Sequence, residues 1–322
     1  MTKDSDRYIE IDILRGIAIF LVVLGHSVIV YPVNLHDVVW CKALHDLIYS
    51  FHMGLFFAIS GWCYNYDKEK GYLHYLGKKI RRLLIPYLFF SMLDYAVRKL
   101  FSTYVNRSDI SWKTILLYGG NYWFIYVLLL ILVIYPLLDA IPLWWIKMAL
   151  ALFAYLMASK MPELFCLNLI FNYLFFFYAG RLIREKRVVD KLKALPECLK
   201  IGLFLLFVAL WICMFTYGSA MKSIGPLLVS LLGLFMILML PLISGVFPLI
   251  RWFSYFGKTS LPMYLVEGFL LTATRTVVVN ALGISNPLVI IMSIVIVDFF
   301  MSGLFVKLFV YKLKHVRFLF GL

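Results

Sequence analysis

Apolar residues along this chain gather into long runs separated by short polar joins. Roughly 20 apolar residues are needed to cross the hydrocarbon core of a bilayer, so the pattern predicts about ten membrane-spanning helices. The runs cover Ile9 to Tyr31, Leu44 to Tyr64, Leu83 to Phe101, Ile115 to Leu138, Leu143 to Ser159, Leu164 to Leu182, Leu199 to Tyr217, Ile224 to Val246, Leu261 to Val279 and Leu288 to Val310. The fifth is short and bracketed by Pro142 and Pro162, and the residue before a proline tends to leave the helical region. The polar leader Lys3 to Arg7 lacks a small-residue cleavage signature, so the first run is expected to stay as a span and not to be removed as a signal peptide. No low-complexity linker, appended soluble domain or internal repeat interrupts the series. The expected fold is an all-α integral membrane protein, one helical bundle and one domain over 1–322.

Composition agrees with that class: 63% hydrophobic, 18% aromatic and only 15% charged residues do not describe a water-soluble domain. Charge then orients the bundle. Lys68, Lys70, Lys78, Lys79, Arg81 and Arg82 crowd one join, and Arg184, Lys186, Arg187, Lys191 and Lys193 crowd another an even number of spans later. Both joins should be cytoplasmic by the positive-inside rule. Arg251 and Lys258, and the tail with Lys312, Lys314 and Arg317, fall on the same side, so N- and C-termini are expected in the cytoplasm. The net charge of +14 follows from this topology and from attraction to anionic lipid, without a nucleic-acid partner. Five cysteines, Cys41, Cys63, Cys166, Cys198 and Cys213, show no paired spacing and no metal-ligand pattern, so neither disulfides nor a metal are expected.

Candidate chemistry comes from what does not belong in a plain anchor. Asp12, Arg15 and His26 lie inside the first run, where a charge at the helix centre costs about 2.5–3.5 kcal/mol on insertion scales and so marks a functional candidate. At about 100° per residue, Arg15 and His26 fall within about 20° of one helix face and about 16 Å apart along it. Asp12 and Tyr8 share the stripe. The bland alternatives are an i, i+3 pair of Asp12 with Arg15 snorkelling to the interface, and a His26 hydrogen-bonded inside the bundle. Asp94 and Arg98 read as a structural i, i+4 pair. Asp298, deep in the last run, reads as a helix-packing contact with no mechanism attached to it.

The stretch Ile11 to His26 (I-D-I-L-R-G-I-A-I-F-L-V-V-L-G-H) sets Arg, ten residues, then His. Ser50 to Gly61 (S-F-H-M-G-L-F-F-A-I-S-G) and Lys78 to Tyr87 (K-K-I-R-R-L-L-I-P-Y) follow in order, with Tyr122 to Leu128 and Leu261 to Glu267 (L-P-M-Y-L-V-E) further on. In these motifs, over nearly its whole length, the chain resembles the membrane-bound acyltransferase 3 family, most closely the subset acting on sugars such as fucose. The resemblance implies O-acetylation of an extracytoplasmic or lipid-linked cell-surface polysaccharide at the inner membrane of a bacterium. It also implies cytoplasmic acetyl-CoA as donor. Two positions depart from the family. Gly54 stands where Pro is frequent, which predicts less kinking there. Glu267 stands where many relatives have His, leaving a residue that can still relay a proton or orient a partner.

Acyl transfer to a hydroxyl needs a base, and His has the side-chain pKa nearest neutral. His26 is the expected base, with His52 at a comparable depth and Glu267 orienting or relaying. Arg15, Arg81 and Arg82, with Lys78 nearby, are the expected partners for the donor's phosphates. Tyr122 and Trp123 are expected to stack on a sugar, although aromatic residues also collect at membrane interfaces. Two other classes fit the same features: a multi-span transporter or exporter of a glycan precursor, and an inactive assembly partner in glycan export.

Overall fold

The computed structural model describes residues 8–29, 34–101, 111–221 and 224–322. The leader Lys3 to Arg7 and the last two residues of the first predicted run, 30 and 31, lie outside them. Every element among the described residues is helical. In chain order the α-helices are α1 (Ile9–Ile29), α2 (Val39–Tyr49), α3 (His52–Trp62), α4 (Gly71–Lys79), α5 (Ile85–Leu100), α6 (Trp112–Tyr118), α7 (Trp123–Asp139) and α8 (Trp144–Met157). They continue with α9 (Leu167–Glu185), α10 (Val188–Lys193), α11 (Glu197–Tyr217), α12 (Ile224–Met239), α13 (Phe247–Ile250), α14 (Phe253–Lys258), α15 (Ser260–Thr276) and α16 (Pro287–Phe305).

Each of the ten apolar runs is helical over most of its length, but among the described residues six stretches are both long and apolar enough to cross a membrane. These are Ile9–Ile29, Trp112–Asp139, Leu164–Glu185, Glu197–Tyr217, Ile224–Leu242 and Pro287–Leu308. Elsewhere the helix is too short, as in the 14 residues of α8, or interrupted. The second run, for example, is two helices: Phe51 leaves the helical region at φ −143°, between α2 and α3. Backbone carbonyls freed at such a break need partners when water is scarce. The His52 ring donates to the Ile48 carbonyl at 2.9 Å, and the Ser230 hydroxyl from α12 donates to the Ser50 carbonyl. Helix α3 runs unbroken through Gly54, so the break falls before that position.

The opening helix is the centre of the bundle: 72% of its apolar window is enclosed, against 6% for α11 at the periphery. Close approach of backbones, not apolar driving force, holds helices together in lipid. Gly16 of α1 lies against the Phe253 carbonyl and Gly257 of α14 against the Asp12 carbonyl, and a Cβ at either would collide with that backbone. A second crossing works the same way, with Gly61 of α3 against Phe177 and Gly180 of α9 against Ala58. The basic join before the third run is itself helical. A π-turn over Ile80–Leu84 links α4 to α5 and carries Arg81 and Arg82.

Candidate active site

Arg15 stands near the start of α1 with its guanidinium partly open. Nη1 donates to Asp12 Oδ1 at 3.4 Å and Nη2 lies 2.7 Å from Cys63 Sγ, so Asp12 supports it from the same helix, as the i, i+3 spacing predicts. Beside it opens a cleft of about 170 Å³, its open mouth not counted, whose wall includes Arg15, Lys79, Arg82 and Lys258 and, among the described residues, no acidic side chain. Lys79, at the end of α4, is half-buried. Burial and the neighbouring Arg82 push its ammonium down to about 8, since both disfavour a further positive charge. Farther in, the wall turns apolar, with Met53, Phe56, Phe124 and Leu128. A cationic mouth above an apolar throat suits a ligand that is anionic at one end and uncharged along its arm.

The cleft reaches Val22 on α1, Met53 on α3 and Tyr264 on α15. Four residues after Val22 comes His26, and three after Tyr264 comes Glu267. The throat therefore ends about one helical turn, roughly 5.4 Å, short of the His26 level. His26 Nδ1–H donates to Glu267 Oε1 at 2.9 Å across the α1–α15 interface. The carboxylate is 4% exposed and the imidazole 33%, so the acid is enclosed while the base keeps an open side. A carboxylate holding Nδ1–H fixes the ring and its tautomer, leaving the Nε2 lone pair to accept a proton. Nε2 makes no hydrogen bond among the described residues. His52 is buried, with Nδ1–H on the Ile48 carbonyl, and interacts electrostatically with His26. Tyr49 lies beside it, ring centroids 4.6 Å apart.

The structure thus brings His26, Glu267 and His52 to one level and places Arg15 and Arg82 in the cleft that leads there. Arg81 and Lys78 are exposed and take no part in its wall; Lys79, three residues before Arg82, does. Tyr122 donates its hydroxyl to the Leu265 carbonyl at 2.9 Å, and its buried ring meets Tyr264 and Phe90, so it braces the helix that carries Glu267. Trp123 stacks on Tyr173 at 5.7 Å and keeps a half-exposed face. Nothing in the local sequence singles out Lys79, Lys258 or Cys63 for the cleft. Lys258 carries no local motif and arrives through the α1–α14 crossing. Asp298 is fully buried on α16 with neither oxygen hydrogen-bonded among the described residues, and it interacts electrostatically with Glu267.

Comparison with known proteins gives two kinds of match. A family described as an acyltransferase domain matches residues 8–307. Among curated proteins, the chain is 30% identical over 202 residues to nodulation protein NolL of Sinorhizobium fredii (strain NBRC 101917 / NGR234), covering 58% of this chain and 54% of that protein. It is also 30% identical over 128 residues to nodulation protein NolL of Mesorhizobium japonicum (strain LMG 29417 / CECT 9101 / MAFF 303099), covering 38% and 33%. The chain thus spans about half the length of these relatives or less. No solved structure matches.

Proposed function

This chain belongs to the acyltransferase family whose domain spans residues 8–307, and on that premise we propose that it moves an acetyl group from acetyl-CoA to a hydroxyl of a cell-surface glycan. The carrying observation is the junction on α1 of a cationic cleft at Arg15 with a carboxylate-held imidazole at His26. In this reading Arg15, Lys79, Arg82 and Lys258 take the donor's phosphates, and the pantetheine arm runs down the apolar throat. The thioester then arrives near His26.

Nε2 of His26 removes the proton of the acceptor hydroxyl as its oxygen attacks the thioester carbonyl carbon. Glu267 stabilises the imidazolium that forms. When the tetrahedral adduct collapses, the C–S bond breaks, and Nε2–H returns the proton to the departing thiolate, so the base is regenerated. His52 stands beside the reacting level as a second imidazole to orient the acceptor.

The basic joins favour a cytoplasmic cleft mouth and a ten-span, multi-pass protein of the bacterial inner membrane with both termini inside. The acceptor then approaches from the outer end of α1, and a polysaccharide that is lipid-linked or still growing at the membrane suits a site within the bundle. Membranes containing the protein, incubated with acetyl-labelled acetyl-CoA, should place label in surface glycan, and His26→Ala membranes should not. Equal labelling by both would refute the assignment.

A further inference from the structure

At the end of α1 remote from the cationic cleft, a 3-10 turn over Leu35–Asp37 and the helix α2 bring three side chains together: His36, His45 and Asp46. Asp46 Oδ1 lies 3.7 Å from His36 Nε2 and 3.2 Å from His45 Nδ1. One ligand atom from each residue falls within 4.8 Å of the others. For metal–ligand bonds of about 2.0–2.1 Å the edge of a coordination tetrahedron is roughly 3.3–3.4 Å, close to the two separations from Oδ1. Two imidazoles and a carboxylate are a donor set that suits zinc and its first-row neighbours.

The surroundings fix the cluster from several directions. Asn34 accepts from the His36 backbone N–H at 3.1 Å and caps the turn. Lys42 Nζ holds the other carboxylate oxygen of Asp46 at 2.7 Å, leaving Oδ1 turned to the imidazoles. The His45 ring stacks on Tyr49 at 3.9 Å, and Tyr49 in turn meets His52. His45 turns Nδ1 to Asp46, while its other nitrogen, Nε2, is buried without a hydrogen-bond partner among the described residues, so the ring is oriented by the Asp46 contact and the Tyr49 stack.

We propose that His36, His45 and Asp46 bind a divalent transition-metal ion of the zinc class, with the fourth position left to a solvent oxygen. The ion would tie the turn to α2 and, through the ring contacts of His45 with Tyr49 and of Tyr49 with His52, stiffen the outer side of the His26 level. The site stands apart from the acyl-transfer reading, because its test reads metal binding and not activity. No local sequence spacing announced it, since His36 and His45 sit on different elements and meet only in the fold.

Full-length protein in detergent, stripped with chelator, is titrated with Zn²⁺ by calorimetry and with Co²⁺ by visible absorption. The expected result is saturable binding of one equivalent, with the intense visible bands of four-coordinate Co²⁺. His36→Ala, His45→Ala and Asp46→Asn should each weaken Zn²⁺ by roughly tenfold or more. A hydrogen-bonded His–Asp cluster and nothing more predicts no saturable binding, or binding indifferent to the three substitutions, and either outcome overturns the proposal. Should a ligand variant fail to fold, the wild-type Co²⁺ spectrum decides alone: weak bands of a six-coordinate ion contradict the site.

Discussion

The two ends of α1 handle charge in opposite ways. Around Arg15 the cations Lys79, Arg82 and Lys258 share a cleft wall with, among the described residues, no acidic side chain, so the nearby Asp12 leaves an excess of positive charge toward a ligand. Around His26 the carboxylate of Glu267 is enclosed and already holds the imidazole. In the proposed reaction the open, like-charged cluster is the binding end and the enclosed, hydrogen-bonded pair the reacting end, because the first leaves its electrostatic demand to be met by a ligand while the second is preorganised. The helix between them serves as a spacer of about 16 Å. The difference teaches that donor binding and proton transfer should be separable by mutation along one helix.

The largest separation should come from the reacting end. His26→Ala is expected to lower acetyl transfer by roughly 10²–10⁴-fold, the usual worth of a general base, with acetyl-CoA binding intact by calorimetry. Glu267→Gln keeps the shape but not the charge that stabilises the imidazolium, so it should fall in the same direction by less. A drop in protein level in place of activity would assign both residues to packing.

At the binding end, Arg15→Ala removes a charge-assisted contact to phosphate, worth about 1.5–3 kcal/mol, or roughly a 10- to 150-fold rise in the acetyl-CoA dissociation constant. The Lys79 ammonium supplies a pH signature. Its value of about 8 in the protein without donor means that the cation is present below that pH and lost above it. Acetyl-CoA affinity should therefore weaken as pH rises through about 8, and Lys79→Arg should flatten the profile because arginine stays charged. Bound phosphate favours the charged lysine and moves the midpoint upward in the complex. The smallest effect sharpens the boundary of the cleft: Lys78→Ala and Arg81→Ala, both exposed, should shift donor affinity less than about twofold, since surface changes rarely exceed about 0.5 kcal/mol.

The sequence carried the helical class and the polar stripe of α1 because both are local: apolar length marks helices, and a charge within an apolar run marks a candidate site. It carried Glu267 as an anomaly but not its hydrogen bond to His26, 241 positions away. The α2–α3 break lies in an apolar stretch with no proline, and only the neighbouring Ser230 and His52 show how its freed carbonyls are satisfied. Likewise the choice between Lys78 and Lys79 depends on which face of the α4–α5 connection turns to α1. Adjacent lysines in a basic run look alike until the π-turn and its packing distinguish them.

The most direct test of the account measures thermal stabilisation of the purified protein by acetyl-CoA in wild type, Arg15→Ala and His26→Ala, since a ligand that binds only the folded state raises its stability by mass action. The account predicts an equal shift in wild type and in His26→Ala, a clearly smaller one at the same acetyl-CoA concentration in Arg15→Ala, and the largest loss of transfer in His26→Ala. An equal shift in all three proteins, or none in any, would contradict it.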